Sequence, residues 1–235
     1  MNRKWVLGMG LSYDFERWNF NDISSIAGTA PWRQIHRIGL SLPVFHAPSL
    51  SWRLGAVPMF EFAGTPGANL EKSLSYGVVL TALKVFGPQL TLGIGAGVFS
   101  RLEEVSGFPY LAINWAINDQ WRLQNPLRSG PAGPAGLELV YSPDERWTVG
   151  AGGAYRTYRF RLDEKDAIIN GIGEVGFAFT FVRATRRLGA GITVDVTAGA
   201  LFDGDLTVEN DRHNDVGATG FDTTPMVALT LSGRL

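Results

Sequence analysis

The sequence predicts an all-β fold, a transmembrane antiparallel β-barrel of about twelve strands that run up and down in chain order. Three observations support this prediction. Apolar and polar residues alternate with a period of two along most of the chain, tight turns alternate with longer loops, and Trp and Tyr recur beside the tight turns. Because the strand pattern runs throughout, residues 1–235 form one predicted domain.

The composition agrees with a barrel and excludes other classes. No run of about 18 apolar residues occurs, which excludes a helical membrane protein, whereas a barrel strand needs only one lipid-facing side. The formal net charge is -1, so nucleic acid is not an expected partner. The chain has no cysteine, which removes disulfides, thiolate metal sites and cysteine nucleophiles, and we expect neither a metal nor a cofactor.

Five strands are predicted in the first half of the chain. They span about 4–15, 34–46, 50–62, 73–86 and 90–102. Their apolar, outward faces include Leu7, Leu11, Ile38, Leu40, Leu54, Phe60, Leu80 and Ile94. The opposite faces carry small and charged residues, so each strand has one side suited to lipid and one suited to a polar interior.

The middle of the chain, from Phe108 to Phe160, contains two predicted hairpins. Alternating segments meet at 118–120 and at 143–145, where Asn, Asp and Pro favour turns. Later strands are predicted at about 172–183 and 188–202, and a last one ends the chain. The expected outward face of the strand at 172–183 consists of Val175, Phe177, Phe179 and Phe181.

Loop lengths are sorted between the two ends of the strands. The tight turns are 47–49, 87–89, 118–120, 143–145 and 184–187, and the longer connections are 16–33, 63–72, 103–107, 126–135, 162–171 and 203–224. Outer-membrane barrels have short periplasmic turns and longer extracellular loops, whereas a soluble sandwich or lipocalin-like barrel has no reason for this sorting. The sequence therefore predicts the outer membrane of a Gram-negative bacterium. We expect a precursor with a leader that this sequence omits.

Six aromatic residues are predicted to form a girdle at the periplasmic membrane interface, where apolar rings lie in lipid and polar tips reach water. They are Trp5, Trp52, Trp115, Trp121, Tyr141 and Trp147. Three of the tryptophans come directly after a short turn, which places them at one level. The alternative is that the tryptophans are buried in a soluble core.

Charged residues on the faces opposite the apolar stripe are the candidate lumen-lining residues. They are Arg37, Arg53, Glu61, Arg101, Arg122, Glu138, Arg156, Glu174 and Asp195. Charges on a face that cannot contact lipid indicate a polar interior. Two hypotheses follow: these residues pair across the interior and brace a narrow or plugged barrel, or the arginines line a water-filled path.

The favoured function is porin-like, passive passage of small polar or anionic solutes, with inward charges setting the selectivity. One alternative is a non-conducting structural or adhesive barrel that acts through loops 16–33 and 203–224. A lipid-modifying enzyme is the least favoured alternative, and we expect no enzyme activity, because no spacing pairs a histidine with a serine nucleophile. His213 lies in an acidic stretch, 203–215, that a solvated loop explains.

A recognisable pattern occupies the middle third of the chain. It consists of Pro109-Tyr110-Leu111, Asn114-Trp115, Asn118-Asp119-Gln120-Trp121-Arg122-Leu123, Pro126, Leu137-Glu138-Leu139-Val140-Tyr141, Trp147 and Gly152-Gly153. This pattern resembles an uncharacterised family of bacterial outer-membrane β-barrels, a domain of unknown function. The resemblance implies the fold and the location, and it brings no catalytic residues.

The expected partners follow from that location. A barrel in the outer membrane has lipid and lipopolysaccharide around it and is inserted by the barrel assembly machinery. The last strand has the alternation of an assembly signal, with Leu235 at the position where such signals usually carry an aromatic residue.

Overall fold

The computed structural model describes residues 5–20, 30–125, 129–134, 136–165, 168–189 and 191–233. The described chain is all-β, with one short 3-10 helix at Glu71–Ser73. In this part of the chain, no helix is long and apolar enough to cross a membrane. The strands within these ranges are β1 (Trp5–Leu7), β2 (Gly10–Arg17), β3 (Gln34–Ser41), β4 (Val44–His46), β5 (Trp52–Gly64), β6 (Leu74–Val85), β7 (Leu90–Arg101), β8 (Glu104–Ala116), β9 (Trp121–Gln124), β10 (Leu137–Tyr141), β11 (Trp147–Arg161), β12 (Ile172–Gly189), β13 (Ile192–Glu209), β14 (Asp215–Phe221) and β15 (Thr224–Ser232).

These strands form one sheet that follows chain order. From β5 to β14, each strand pairs antiparallel with the next. Two predicted strands are interrupted and appear as the pairs β1/β2 and β3/β4. A third interrupted pair is β14/β15, in which β15 is the predicted last strand and β14 lies in the predicted connection 203–224. Pro43 lies at the break between β3 and β4, where its missing N–H removes a hydrogen bond of the ladder.

A parallel contact closes part of this sheet into a barrel. Arg161 at the end of β11 pairs with Gly64 at the end of β5, and the N–H of Thr65 donates to the Arg161 carbonyl at 2.9 Å. β10 pairs with β11 only up to Gly153, and the last residue of β11, Arg161, lies beyond that pairing and reaches β5. The result is a closed barrel of seven strands, β5 to β11, with eight strands outside it. We call this closed part the seven-strand ring.

The alternation predicted for the strands of the first half and for the last strand is confirmed. Leu11, Ile94 and Val227 on the predicted outward faces are 75%, 71% and 80% exposed. Phe99, on the opposite face of β7, is 1% exposed and lies opposite Gly77, where there is no side chain to displace it. Each of these strands therefore has one apolar outward face and one inward face.

The prediction for β12 is wrong about which face turns outward. The predicted outward residues are buried and belong to the main apolar cluster, which includes Trp32, Ile35, Phe160, Val175, Phe177, Phe179, Phe181 and Leu206. The register gives the reason, because Phe177 lies opposite the inward-facing Arg156, and residues opposite each other share a face. A period of two determines which residues share a face, but not which face turns inward.

Two predicted connections are largely strand in the structure. β12 continues through 184–187 to Gly189, and 203–224 contains the end of β13, a short turn and β14. The arginines of 184–187 are held by neighbouring groups: Arg186 lies over the Trp147 ring at 5.2 Å, and Arg187 donates to a backbone carbonyl at 2.8 Å. Strand structure persists there because this part of β12 still pairs with β11 on one side and with β13 on the other.

The first and last strands approach each other at one end of the sheet. Within the described ranges, β1 and β2 do not pair with β14 or β15. Trp18, directly after β2, contacts Phe221 at the end of β14, with ring centroids 6.0 Å apart in an edge arrangement. Parts of the predicted loops 16–33 and 126–135, and the terminal Leu235, lie outside the described residues.

Candidate functional site

Arg37 is buried on the inward face of β3 and is held by two neighbours. It forms an ion pair with Glu16 and stacks its guanidinium over the Tyr158 ring, 4.0 Å from the centroid. Glu61 lies on the same face, two residues before Ala63, which is the residue opposite Arg37. Because a buried charge without a partner is strongly destabilising, these contacts brace the interior beside the apolar cluster.

Glu138 is the most deeply buried of the predicted lumen residues, with 1% of its surface exposed. It accepts two hydrogen bonds from Arg183, at 3.0 and 2.5 Å, and one from Gln124 at 3.3 Å. Gly150 provides room for the carboxylate, because a Cβ atom there would overlap Oε1 of Glu138. This ion pair joins β10 to β12 across the inward face of β11.

Arg101 and Arg156 bind backbone carbonyls. Arg101 Nη1 donates to the Pro131 carbonyl at 3.2 Å and to the Thr157 carbonyl at 3.0 Å. Arg156 Nη1 donates to the Gly133 carbonyl at 2.7 Å. Both arginines therefore hold the segment 129–134, which precedes β10, against the part of β11 beyond Gly153, where the N–H of Thr157 donates to the Ala132 carbonyl at 3.0 Å.

Arg53 and Arg122 differ from the other predicted lumen arginines. Both are exposed on inward faces, Arg53 opposite Leu83 and Arg122 opposite the buried Val140. Both lie near short turns, at the same end of the strands. Neither makes an ion pair or a side-chain hydrogen bond with any residue that the structure describes. The inward carboxylate of Asp195, by contrast, accepts a hydrogen bond from the Thr185 hydroxyl.

Arg159 is the centre of a charged cluster at the opposite end of the strands, which we call the outer rim. It forms ion pairs with Glu104 at 3.2 Å, Glu174 at 2.6 Å and Glu209 at 2.7 Å. Glu174 therefore lies at this rim and does not share the inward face of β12 with Phe177, in contrast to the lumen position predicted for it. The prediction failed here because it assigned the wrong face of β12 to the interior.

His213 connects two hairpins at the outer rim. Its Nε2 contacts Glu103, in the turn between β7 and β8, and its Nδ1 lies 3.5 Å from Glu209 on β13. Arg161 also approaches Glu103, at 3.5 Å. An open cavity of ≈460 Å³ at this rim is lined by Glu103, Arg159, Glu209 and His213, among others. Among the described residues, no group of three or more His, Cys, Asp or Glu could hold a metal ion.

Sequence reasoning missed Arg159, Arg161 and Arg183. The available signal for the first two was the density of arginine at the end of β11, where three arginines lie between 156 and 161. Arg183 carried no such signal, because its partner Glu138 is 45 residues away in the chain and only the register brings them together.

The six predicted girdle residues all lie on outward faces beside the short turns. Trp5, Trp52, Trp115, Trp121 and Trp147 are between 39% and 58% exposed, and Tyr141 is half-buried against the Trp121 ring at 4.9 Å. Trp5 stacks on His46 at 4.1 Å. These residues do not belong to the apolar cluster; the buried tryptophan of that cluster is Trp32, which is 2% exposed.

Comparisons of the chain with models of known protein families, with characterised proteins and with solved structures found no match.

Proposed function

We propose that this chain is a β-barrel of the bacterial outer membrane. The support is its outward surface, where Leu7, Leu11, Ile94, Val105 and Leu229 are each 71% to 75% exposed. Soluble monomers rarely expose contiguous apolar patches larger than a few hundred Å², whereas lipid tails stabilise such a belt. Counting each interrupted pair as one strand turns fifteen strands into twelve, an even number as in single-chain bacterial barrels. Lipid, lipopolysaccharide and the barrel assembly machinery are the partners in this proposal.

The function that this geometry supports best is passive passage of small polar or anionic solutes through the seven-strand ring. Arg53 and Arg122 carry the proposal, because they are the predicted lumen arginines for which the described chain provides no carboxylate or carbonyl partner. An exposed guanidinium in a wall of low dielectric constant attracts anions and raises their local concentration. The paired charges, such as Glu138 with Arg183, neutralise each other and contribute to rigidity instead.

The test is ion selectivity of the purified protein in planar lipid bilayers. Under a potassium chloride gradient, the reversal potential of the native chain should indicate a preference for chloride. The double variant Arg53→Gln/Arg122→Gln should lower the chloride-to-potassium permeability ratio by about fivefold, which corresponds to about 1 kcal/mol for unit charges about 4 Å apart in water. The matched control is Arg17→Gln. Arg17 is also exposed, but it is the last residue of β2 and lies at the end of the strands opposite to Arg53 and Arg122. A bilayer without current would contradict passage.

A second candidate is a non-conducting structural or adhesive barrel, and one observation favours it. The strands outside the ring enclose the aromatic cluster around Trp32 and Phe160, whose rings are 4.8 Å apart, so that part of the interior is filled. In that case the bilayer would stay silent although the protein is folded. Replacing the turn 210–214 with a short Asn-Gly turn should then remove binding of whole cells to a surface without changing the fold.

A further inference from the structure

We propose that the seven-strand ring contains a binding site for small uncharged polyols. The inference deepens the proposed passage and rests on it, because it names the class of solute that binds on the way through. The site is a cavity of ≈200 Å³ between β6, β7 and β8. Its lining combines apolar surface, to which Leu83, Ala112 and Ile113 contribute, with the polar residues Thr81, Thr91, Tyr110, Asn114, Asn125 and Ser129.

Glycines on β7 keep this cavity open. Gly95 faces inward, and a Cβ atom there would overlap Cε1 of Tyr110, so the ring lies flat against the wall. Gly97 accommodates Phe108 in the same way, because a Cβ atom there would lie 2.5 Å from Cζ of the ring. Two large side chains thus cover the wall without filling the interior, because the residues opposite them have no side chain.

Two of the polar side chains are already used by the protein. The Tyr110 hydroxyl and the Thr81 hydroxyl form a hydrogen bond of 2.6 Å, which fixes the ring over Gly95. Asn125 accepts from the N–H of Ile113 at 2.8 Å and donates to two backbone carbonyls, at 3.0 and 2.8 Å. These residues build the wall and leave little hydrogen-bonding capacity for a ligand.

Three polar side chains remain free to bind a ligand. The Ser129 hydroxyl oxygen is buried and has no hydrogen-bond partner among the residues described. Thr91, which is half-buried, and Asn114, which is exposed, also make no side-chain hydrogen bond within the described chain. A buried polar atom without a partner is rare in native structures and needs an explanation. A ligand with several hydroxyl groups would provide the missing hydrogen-bond partners, because a hydroxyl group can both donate and accept.

The charge and size of the cavity define the ligand class. Among the described residues, no charged side chain lines it, so an ionised group would lose its hydration there without an opposite charge in return. The volume of ≈200 Å³ corresponds to about six or seven waters at about 30 Å³ each. Glycerol and erythritol fit this volume, whereas sucrose is too large. Arg53 and Arg122, near the short turns, would then attract anionic solutes, whereas the cavity would bind the hydroxyl groups of uncharged ones.

The test is equilibrium binding of erythritol to the purified full chain in detergent micelles, measured by saturation-transfer NMR. Erythritol should bind and sucrose should not. Thr91→Val has nearly the same shape without the hydroxyl and should weaken binding by about fivefold, as expected for the loss of one hydrogen bond. Asn114→Leu should have a similar effect. The matched control is Thr180→Val on the outward face of β12, which should bind erythritol as the native chain does.

Binding and passage can fail separately. If erythritol did not bind the native chain, or if Thr91→Val bound it equally well, the polyol site would be wrong, whatever the bilayer shows. If erythritol bound as expected while the bilayer stayed silent, the site would stand and passage would be wrong. A circular dichroism spectrum rich in β-structure for each variant excludes misfolding as the cause of lost binding.

Discussion

Gly64 and Arg161 are parallel neighbours, although their strands, β5 and β11, are the first and last of the seven that form the ring. The contact divides the interior of the sheet into the space inside the ring and the space beyond β11. Inside the ring lie the cavity beside Tyr110 and the exposed Arg53, and beyond β11 lies the apolar cluster with Phe177. We therefore expect the distance between β5 and β11 to determine how wide the ring is at the outer rim.

The first prediction concerns this contact. A Cβ atom at Gly64 would lie 2.8 Å from Cβ of Ala68 and 3.2 Å from the Arg161 carbonyl oxygen. Gly64→Val should therefore separate β5 from β11, lower the free energy of unfolding by about 1–3 kcal/mol and increase the single-channel conductance. Urea unfolding in lipid vesicles and bilayer recordings measure the two effects.

The control for this prediction is Gly107→Ala on the outward face of β8, where the nearest atom to a new Cβ is 3.3 Å away. It should leave the conductance unchanged. If Gly64→Val lowered stability and left the conductance at the native value, the contact would not limit the opening of the ring.

The second prediction concerns the buried pair of Glu138 and Arg183. Glu138→Gln leaves the guanidinium without its charged partner and should lower the free energy of unfolding by about 3–5 kcal/mol. The double variant Glu138→Gln/Arg183→Met should recover part of this loss, because it removes the unpaired charge. Glu145→Gln, in an exposed turn, should change stability by less than about 0.5 kcal/mol. Equal losses for Glu138→Gln and the double variant would mean that the pair makes no specific contribution.

The third prediction separates the two classes of tryptophan. Trp32 is 2% exposed and packs edge-on against Phe160, so Trp32→Ala should lower the free energy of unfolding by about 3–5 kcal/mol. Trp121 is 39% exposed on the outward face, and Trp121→Ala should have a smaller effect on unfolding. It should, however, weaken the anchoring of that strand end at the interface. The measurement is the quenching of the fluorescence of the remaining tryptophans by brominated lipids, which should change. Similar losses of stability for both variants would contradict the division into core and girdle.

Much of the fold could be predicted from the sequence because strand alternation and turn chemistry are local. Trp121 and Ile94 have the orientation that their own strands predict. The face of β12 was not predictable in this way, because Phe177 and its outward neighbours alternate equally well in either orientation. Only pairing with β11 decides between them.

The candidate site was less predictable because its contacts are long-range. The inward position of Arg53 followed from alternation, but the fact that Glu138 has a charged partner depends on which strands are neighbours. The contact of Gly64 with Arg161 could not be predicted either, since it joins residues 97 positions apart through a single backbone pairing. The cavity beside Tyr110 results from glycines on a neighbouring strand, and alternation alone does not indicate it.

In a membrane-spanning barrel the outward faces contact lipid while the inward faces contact water. The chain has no cysteine, so single cysteines can carry spin labels at Ile94, which is outward, and at Asn114, which is inward. In protein reconstituted into lipid vesicles, electron paramagnetic resonance measures label accessibility to oxygen, which dissolves in lipid, and to a water-soluble nickel chelate. The label at Ile94 should be accessible mainly to oxygen and the label at Asn114 mainly to the nickel chelate. Equal accessibility of both labels to the nickel chelate would contradict a membrane-spanning barrel.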